Sequence, residues 1–219
     1  RRSSDLFRNT SGSGYYSVED YKGILKYANA RHIQIIPEFD LPGHSTAAIT
    51  AMEARYKKYL SEGKFKEGLR FYLNDLKDRS SYQSGQFFFN NAVNPCIAAT
   101  YDFVEKLVLE VKAIHEGVQP LKVIHLGGDE VPVGAWNLST ACQRLSEKFK
   151  SRSTHLDWRA FFTKRVARIA KKYGVKLMLW DDGWVDRSKS HIVKTKLESG
   201  SSYRSEERRV GKECRSRWS

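Results

Sequence analysis

The sequence predicts an α/β fold with parallel strands, and three observations carry that reading. Short apolar runs alternate with helix-length amphipathic segments, the pattern of βαβ units. Each run ends on residues of the kind that do chemistry: Asp40 and His44, then Asp129 and Glu130, then Trp180 and Asp182. No glycine-rich phosphate loop accompanies any of them. Three strands alone fit an open sheet or a barrel. Convergence at all three carboxyl ends is how a (β/α)8 TIM barrel assembles its site. A doubly wound sheet concentrates its site at one switch point beside a phosphate loop.

The elements follow in order. Ser17 caps a first helix, with Asp20 completing a capping box and Tyr21, Ile24, Leu25 and Ala28 on one face. His32 to Ile36 reads as a short strand, stopped by the prolines and glycine of Pro37 to His44. A helix is expected from about Ser45 to Leu60. Residues 61–98 hold Gly63, Gly68, Gly85 and a run of serines, and read as a long irregular insertion. Thr100 is expected to cap a helix whose core face carries Phe103, Val104, Leu107, Val108, Val111 and Ile114. A second strand runs from Leu121 to Gly127. Residues 140–150 are weakly helical, 157–173 strongly so, and Val175 to Trp180 form the third strand.

Composition narrows the function. The 219 residues are enough for a sizeable core, and 40% hydrophobic with 29% charged residues is ordinary for a globular chain. No apolar run approaches the roughly 18 residues of a membrane span. The net charge of +13 invites a nucleic-acid reading. However, Lys57-Lys58, Lys148 to Arg152 and Lys171-Lys172 fall on different helices among acids, with no nucleic-acid motif, so solvated helix faces explain them. Cys96, Cys142 and Cys214 lack metal spacing; Cys96 and Cys142 are compatible with a disulfide that the sequence alone does not settle. The start lacks an initiator Met, which predicts a piece of a larger protein, so the absence of a signal peptide from these residues says nothing of location. Residues 200–219 show almost no apolar periodicity and read as a disordered or non-native tail.

The most informative stretch is Val123-Ile124-His125-Leu126-Gly127-Gly128-Asp129-Glu130. Two glycines at a strand end bury nothing and weaken the strand, so they make room for something close to the backbone. Adjacent carboxylates repel unless a site uses that repulsion. The competing reading is a strand-to-loop turn capped by acids.

Pro37-Glu38-Phe39-Asp40-Leu41-Pro42-Gly43-His44 and His125-Leu126-Gly127-Gly128-Asp129-Glu130-Val131, in this order, resemble the β-N-acetylhexosaminidase family, glycoside hydrolase family 20. Ser80-Ser81-Tyr82 through Phe89-Asn90-Asn91, then Asn94-Pro95-Cys96 and Gly134-Ala135-Trp136, are most similar to its chitobiase branch. The resemblance covers residues 12–195 as a partial catalytic domain. It implies roughly strands 3 to 5 of the barrel, without the family's substrate-binding Arg or its later pocket aromatics. It also implies retaining removal of terminal β-linked N-acetylhexosamine by substrate-assisted catalysis through an oxazolinium intermediate.

In that scheme Glu130 protonates the glycosidic oxygen, and Asp129 orients the 2-acetamido group whose carbonyl attacks the anomeric carbon. A neighbouring ionised carboxylate helps an acid keep its proton. Separate acid and nucleophile carboxylates need about 5 Å or more across the sugar, which an adjacent pair fits poorly. The resemblance gives His44 and Asp40 supporting roles, His125 a hydrogen-bonding role beneath the carboxylates, Trp180 a pocket wall, Trp136 a border on the aglycone side, and Asp182 a hydroxyl contact. Plainer alternatives are a helix-start cap for His44, a core place for Trp180 and turn closure for Asp182. The expected partners are glycans ending in N-acetylglucosamine or N-acetylgalactosamine, with no cofactor, metal or nucleic acid. The expected location is lysosomal, extracellular or periplasmic. Two other readings remain: a two-carboxylate glycosidase with Asp40 or Asp182 as nucleophile, and an inactive sugar-binding or interaction module on the same fold.

Overall fold

The structure is a computed structural model that describes residues 15–149, 157–183, 185–186 and 193–194. The segment expected to be a tail lies outside the described residues. Ser17 caps α1 (Val18–Asn29) through a complete capping box with Asp20, and Leu25 and Ala28 are its buried residues. α2 (Thr46–Ser61) follows the Pro-Gly turn, and α3 (Phe65–Leu69) is a short helix inside the otherwise irregular insertion. α4 (Ala98–His115) begins two residues before its expected cap. Thr100 therefore lies inside the first turn, and its hydroxyl donates to the Asn94 carbonyl at 2.6 Å. β1 (Val123–His125), α5 (Thr140–Phe149), α6 (Trp158–Lys172) and β2 (Lys176–Met178) come next. Asp157 caps α6 by accepting from the Arg159 and Ala160 amides. A 3-10 turn (Asp181–Gly183) and a small antiparallel pair, β3 (Val185–Asp186) and β4 (Val193–Lys194), end the described chain.

β1 and β2 pair in parallel, with Ile124 opposite Leu177 and His125 opposite Met178. Ile124 and Leu126 alternate with His125 along the first chain, and Leu177 and Leu179 repeat the spacing on the second. These four leucine and isoleucine side chains join Val104, Val108, Phe162 and Val166 of α4 and α6 in one buried cluster. Period-2 strands laid on period-3.6 helices thus bury one face of the sheet. A second cluster holds Ala92, Ala135, Trp136 and Cys142. Here Cys96 and Cys142 form the disulfide, which ties the insertion to α5.

The strand expected at His32–Ile36 pairs further along the chain. The parallel bridge joins Glu38 to His125. The Phe39 and Leu41 amides donate to the His125 and Leu126 carbonyls at 2.9 and 2.8 Å, and the His125 amide donates to the Pro37 carbonyl at 2.9 Å. Pro37 serves here only as an acceptor, so its missing N–H removes nothing from the ladder. Upstream, one side chain stands where a neighbouring strand would be. Gln119 accepts from the Ile35 amide at 2.7 Å and donates to the Ile33 carbonyl at 2.8 Å. Gln119→Ala is expected to lower the unfolding free energy by about 1–3 kcal/mol, because it leaves both backbone groups without that partner. Urea denaturation measures this, and an unchanged midpoint would count against it.

Candidate active site

The site forms where the first extended strand, β1 and β2 end together. Asp40 lies two residues after Glu38, so period-2 geometry puts both on the face that also carries His125. The Asp40 carboxylate sits on the two glycines after β1. The Gly128 amide donates to Asp40 Oδ1 at 3.0 Å. A Cβ on Gly127 (φ +65°) would collide with that carboxylate and lie 2.9 Å from the Asp40 Cα. A Cβ on Gly128 (φ +93°) would lie 3.0 Å from the Gly183 Cα. The room that the glycines leave is therefore filled by the chain itself, by Asp40 on one side and the turn after β2 on the other.

Burial pushes the Asp40 carboxyl up to about 8, reinforced by the Asp129 charge and a hydrogen bond with Asp129, and opposed by the Gly128 amide. In its acid form Asp40 is the donor to the Asp129 carboxylate. The ligand atoms of Asp40, His44 and Asp129 lie within 4.8 Å of one another. Among the described residues these three bring their ligand atoms close enough to hold a cation.

Asp129 and Glu130 follow each other but have different partners. Glu130 takes a left-handed backbone (φ +50°), as does His44 (φ +47°). Its side chain is 56% exposed, with Oε2 3.4 Å from His44 Nε2. Gln86, from the irregular insertion, donates to the same Oε2 at 2.6 Å. His44 Nε2 also lies 3.9 Å from Asp40 Oδ2, so one imidazole spans both acids. Its position is set by Ser45, whose hydroxyl donates to the Gly43 carbonyl at 2.6 Å in place of capping α2.

His125 is buried, and its Nδ1 accepts from the Gly127 amide at 3.1 Å and lies 3.2 Å from Glu38 Oε1. Trp180 is half-buried. Its indole N–H donates to Glu38 Oε1 at 3.0 Å, and its ring centroid is 4.6 Å from that of His125. Trp136 is 5% exposed and packed in the second cluster. The Asp182 side chain lies outside the described residues.

The sequence-predicted residues Asp40, His44, Asp129, Glu130, His125 and Trp180 thus come together, while Trp136 packs apart from them. Two contributors were missed. Glu38 ties Trp180 to His125, and the alternation that places Asp40 would have placed it too. Gln86 comes from a stretch without periodicity and left no comparable signal.

Asp40 sets a pH dependence. The folded protein holds this proton up to about 8, whereas an unfolded aspartate releases it near about 4. Between those values the folded state binds more protons, so stability falls as pH rises through the window. Asp40→Asn, which has no proton to lose, is expected to flatten the melting temperature across it, and an unaltered slope would overturn the assignment. Gly127→Ala is expected to destabilise by about 2–4 kcal/mol, since it forces both a strained φ and a clash. Equilibrium denaturation would show it.

Comparison with known proteins places the chain in a family. The description "Glycosyl hydrolase family 20, catalytic domain" matches residues 1–209. Beta-hexosaminidase B of Pseudoalteromonas piscicida is 42% identical over 181 residues, covering 82% of this chain and 23% of that protein. N,N'-diacetylchitobiase of Vibrio harveyi is 46% identical over 121 residues, covering 54% of this chain and 14% of that protein. The structure of the family 20 exo-β-N-acetylglucosaminidase of Vibrio harveyi with N-acetylglucosamine superposes with a TM-score of 0.64 at 28% identity, covering 81% of this chain and 24% of that one. The chain spans about a quarter of the length of the first of these relatives. The strands and helices described above are therefore part of a TIM-barrel-type catalytic domain, and the chain belongs to glycoside hydrolase family 20.

Proposed function

We propose that this chain carries the acid and acetamide-orienting groups of a retaining exo-β-N-acetylhexosaminidase. The observation that carries the reading is the division of partners at the carboxylate pair. Asp40 holds Asp129, while His44 and Gln86 hold Glu130. Asp129, held by its hydrogen bond with Asp40, is placed to orient the acetamido group on whose nitrogen positive charge develops. Glu130 faces solvent, where a glycosidic oxygen arrives.

In the proposed reaction the acetamido carbonyl oxygen bonds to the anomeric carbon as the glycosidic bond breaks. The Glu130 proton passes to the leaving oxygen. Water then opens the oxazolinium ion, returning its proton to Glu130. Trp180 offers a flat wall held by Glu38. The Vibrio harveyi relative bound to N-acetylglucosamine supports a terminal N-acetylhexosamine as substrate.

The extended segment through Glu38, β1 and β2 are read as the third to fifth strands of the barrel, within a partial domain at residues 12–195. An apolar cleft of about 310 Å³ beside the first of them, lined by Tyr21, Pro37, Phe39, Val111 and Ile114, supports further chain packing there. The 219 residues alone are accordingly expected to hydrolyse little.

The test uses the longest product of the gene. It should cleave a 2-acetamido-β-glucoside and leave the plain β-glucoside nearly untouched; comparable turnover of both would refute substrate assistance. Asp129→Asn should slow every substrate, whereas Glu130→Gln should slow poor leaving groups most, by about 10²-fold or more. A covalent sugar on Asp40 or Asp182 after reaction with a fluorinated glycoside would instead establish a two-carboxylate mechanism.

A further inference from the structure

We propose that Gln86 is a positioning residue for Glu130, fixing which carboxyl oxygen presents the proton to the leaving group. The inference rests on the glycosidase reading above and adds a residue to it. Glu130 is long, exposed and on a left-handed backbone, so nothing in its own segment fixes its rotamer. Gln86 donates to Oε2 at 2.6 Å, and His44 Nε2 lies 3.4 Å from the same atom. Among the described residues no bonded partner meets Oε1. An oxygen that accepts from neighbours is poorly placed to carry a proton toward them. The proton therefore belongs on Oε1. When it passes to the glycosidic oxygen as the bond to the anomeric carbon breaks, Oε2 keeps the Gln86 amide as its donor, and the new carboxylate charge meets it.

The placement of Gln86 is built into the fold. It stands at the tip of a tight turn around buried Ser84. The Ser84 amide donates to the Phe88 carbonyl at 2.8 Å and the Phe87 amide to the Ser84 carbonyl at 2.9 Å. The Phe88 amide also donates to the Ser84 hydroxyl at 3.1 Å. Phe87, 75% exposed, takes φ +65°, a region that bulky side chains rarely enter. Of the five non-glycine residues with positive φ among the described residues, His44 and Glu130 lie in the site and Phe87 directly follows Gln86. Strain concentrated beside reacting groups marks a segment whose position matters more than its comfort.

The test compares wild type, Gln86→Leu and Gln86→Asn in the longest gene product. One substrate is N,N'-diacetylchitobiose, whose leaving sugar needs protonation. The other is 2,4-dinitrophenyl N-acetylglucosaminide, whose leaving group does not. Both variants should lose about tenfold or more in kcat on chitobiose and little on the dinitrophenyl substrate, with KM and melting temperature near wild type. Equal losses on both substrates, or none, with the fold intact would overturn the positioning role. A wild type inactive on every N-acetylhexosaminide would overturn the underlying glycosidase reading instead. Because Gln86 is exposed, the variants are expected to fold; should Leu fail to, Asn keeps the amide one methylene out of reach and gives the same discrimination.

Discussion

The seat of Asp40 on Gly127 and Gly128 is the contact on which the site depends. It joins the end of one strand to the end of the next through a side chain and a backbone, at a distance that no Cβ allows. The contact is matched from the other direction. A Cβ on Gly43 would lie 3.1 Å from the Asp129 carbonyl oxygen. Each motif therefore vacates space for the other, one for a carboxylate and one for a carbonyl. The interlock holds the register in which Glu38 pairs with His125, and with it the side of the sheet on which the acids appear. It also removes water from Asp40, and burial is the largest influence on that carboxyl.

Legibility in the sequence followed the physical range of each signal. The capping box at Ser17 and the apolar faces of α4 and α6 are local and periodic, and the structure has them. The glycine pair after β1 announced a close approach, but its occupant came from 87 residues upstream of Gly127, at Asp40, which no local pattern points to. The extended stretch before Pro37 has the composition of a strand, yet a glutamine side chain satisfies part of its backbone. Propensity reports what a segment can pair, not what is beside it. Thr100 shows the same limit at a helix start: its hydroxyl found the Asn94 carbonyl, and the helix began earlier without it. Gln86 was the least legible of all, because a turn closed by Ser84 carries no periodicity and its partner lies 44 residues further on.

Adjacent acids in sequence need not share an environment, and the backbone is what separates them. With Glu130 in the left-handed region, the chain turns sharply after Asp129, so one carboxyl meets the half-buried Asp40 while the other meets the exposed amide of Gln86. Such a conformation costs on the order of 1 kcal/mol for a residue with a Cβ. His44 and Phe87 carry the same burden at the same place. The sheet and the apolar cluster that α4 and α6 form beneath β1 and β2 offset that cost at a distance from the acids. The chemistry is therefore concentrated in short strained turns, and the stability in the periodic elements below them. This division is why the core was readable from pattern, while the partners of each acid became visible only once the turns were placed in space.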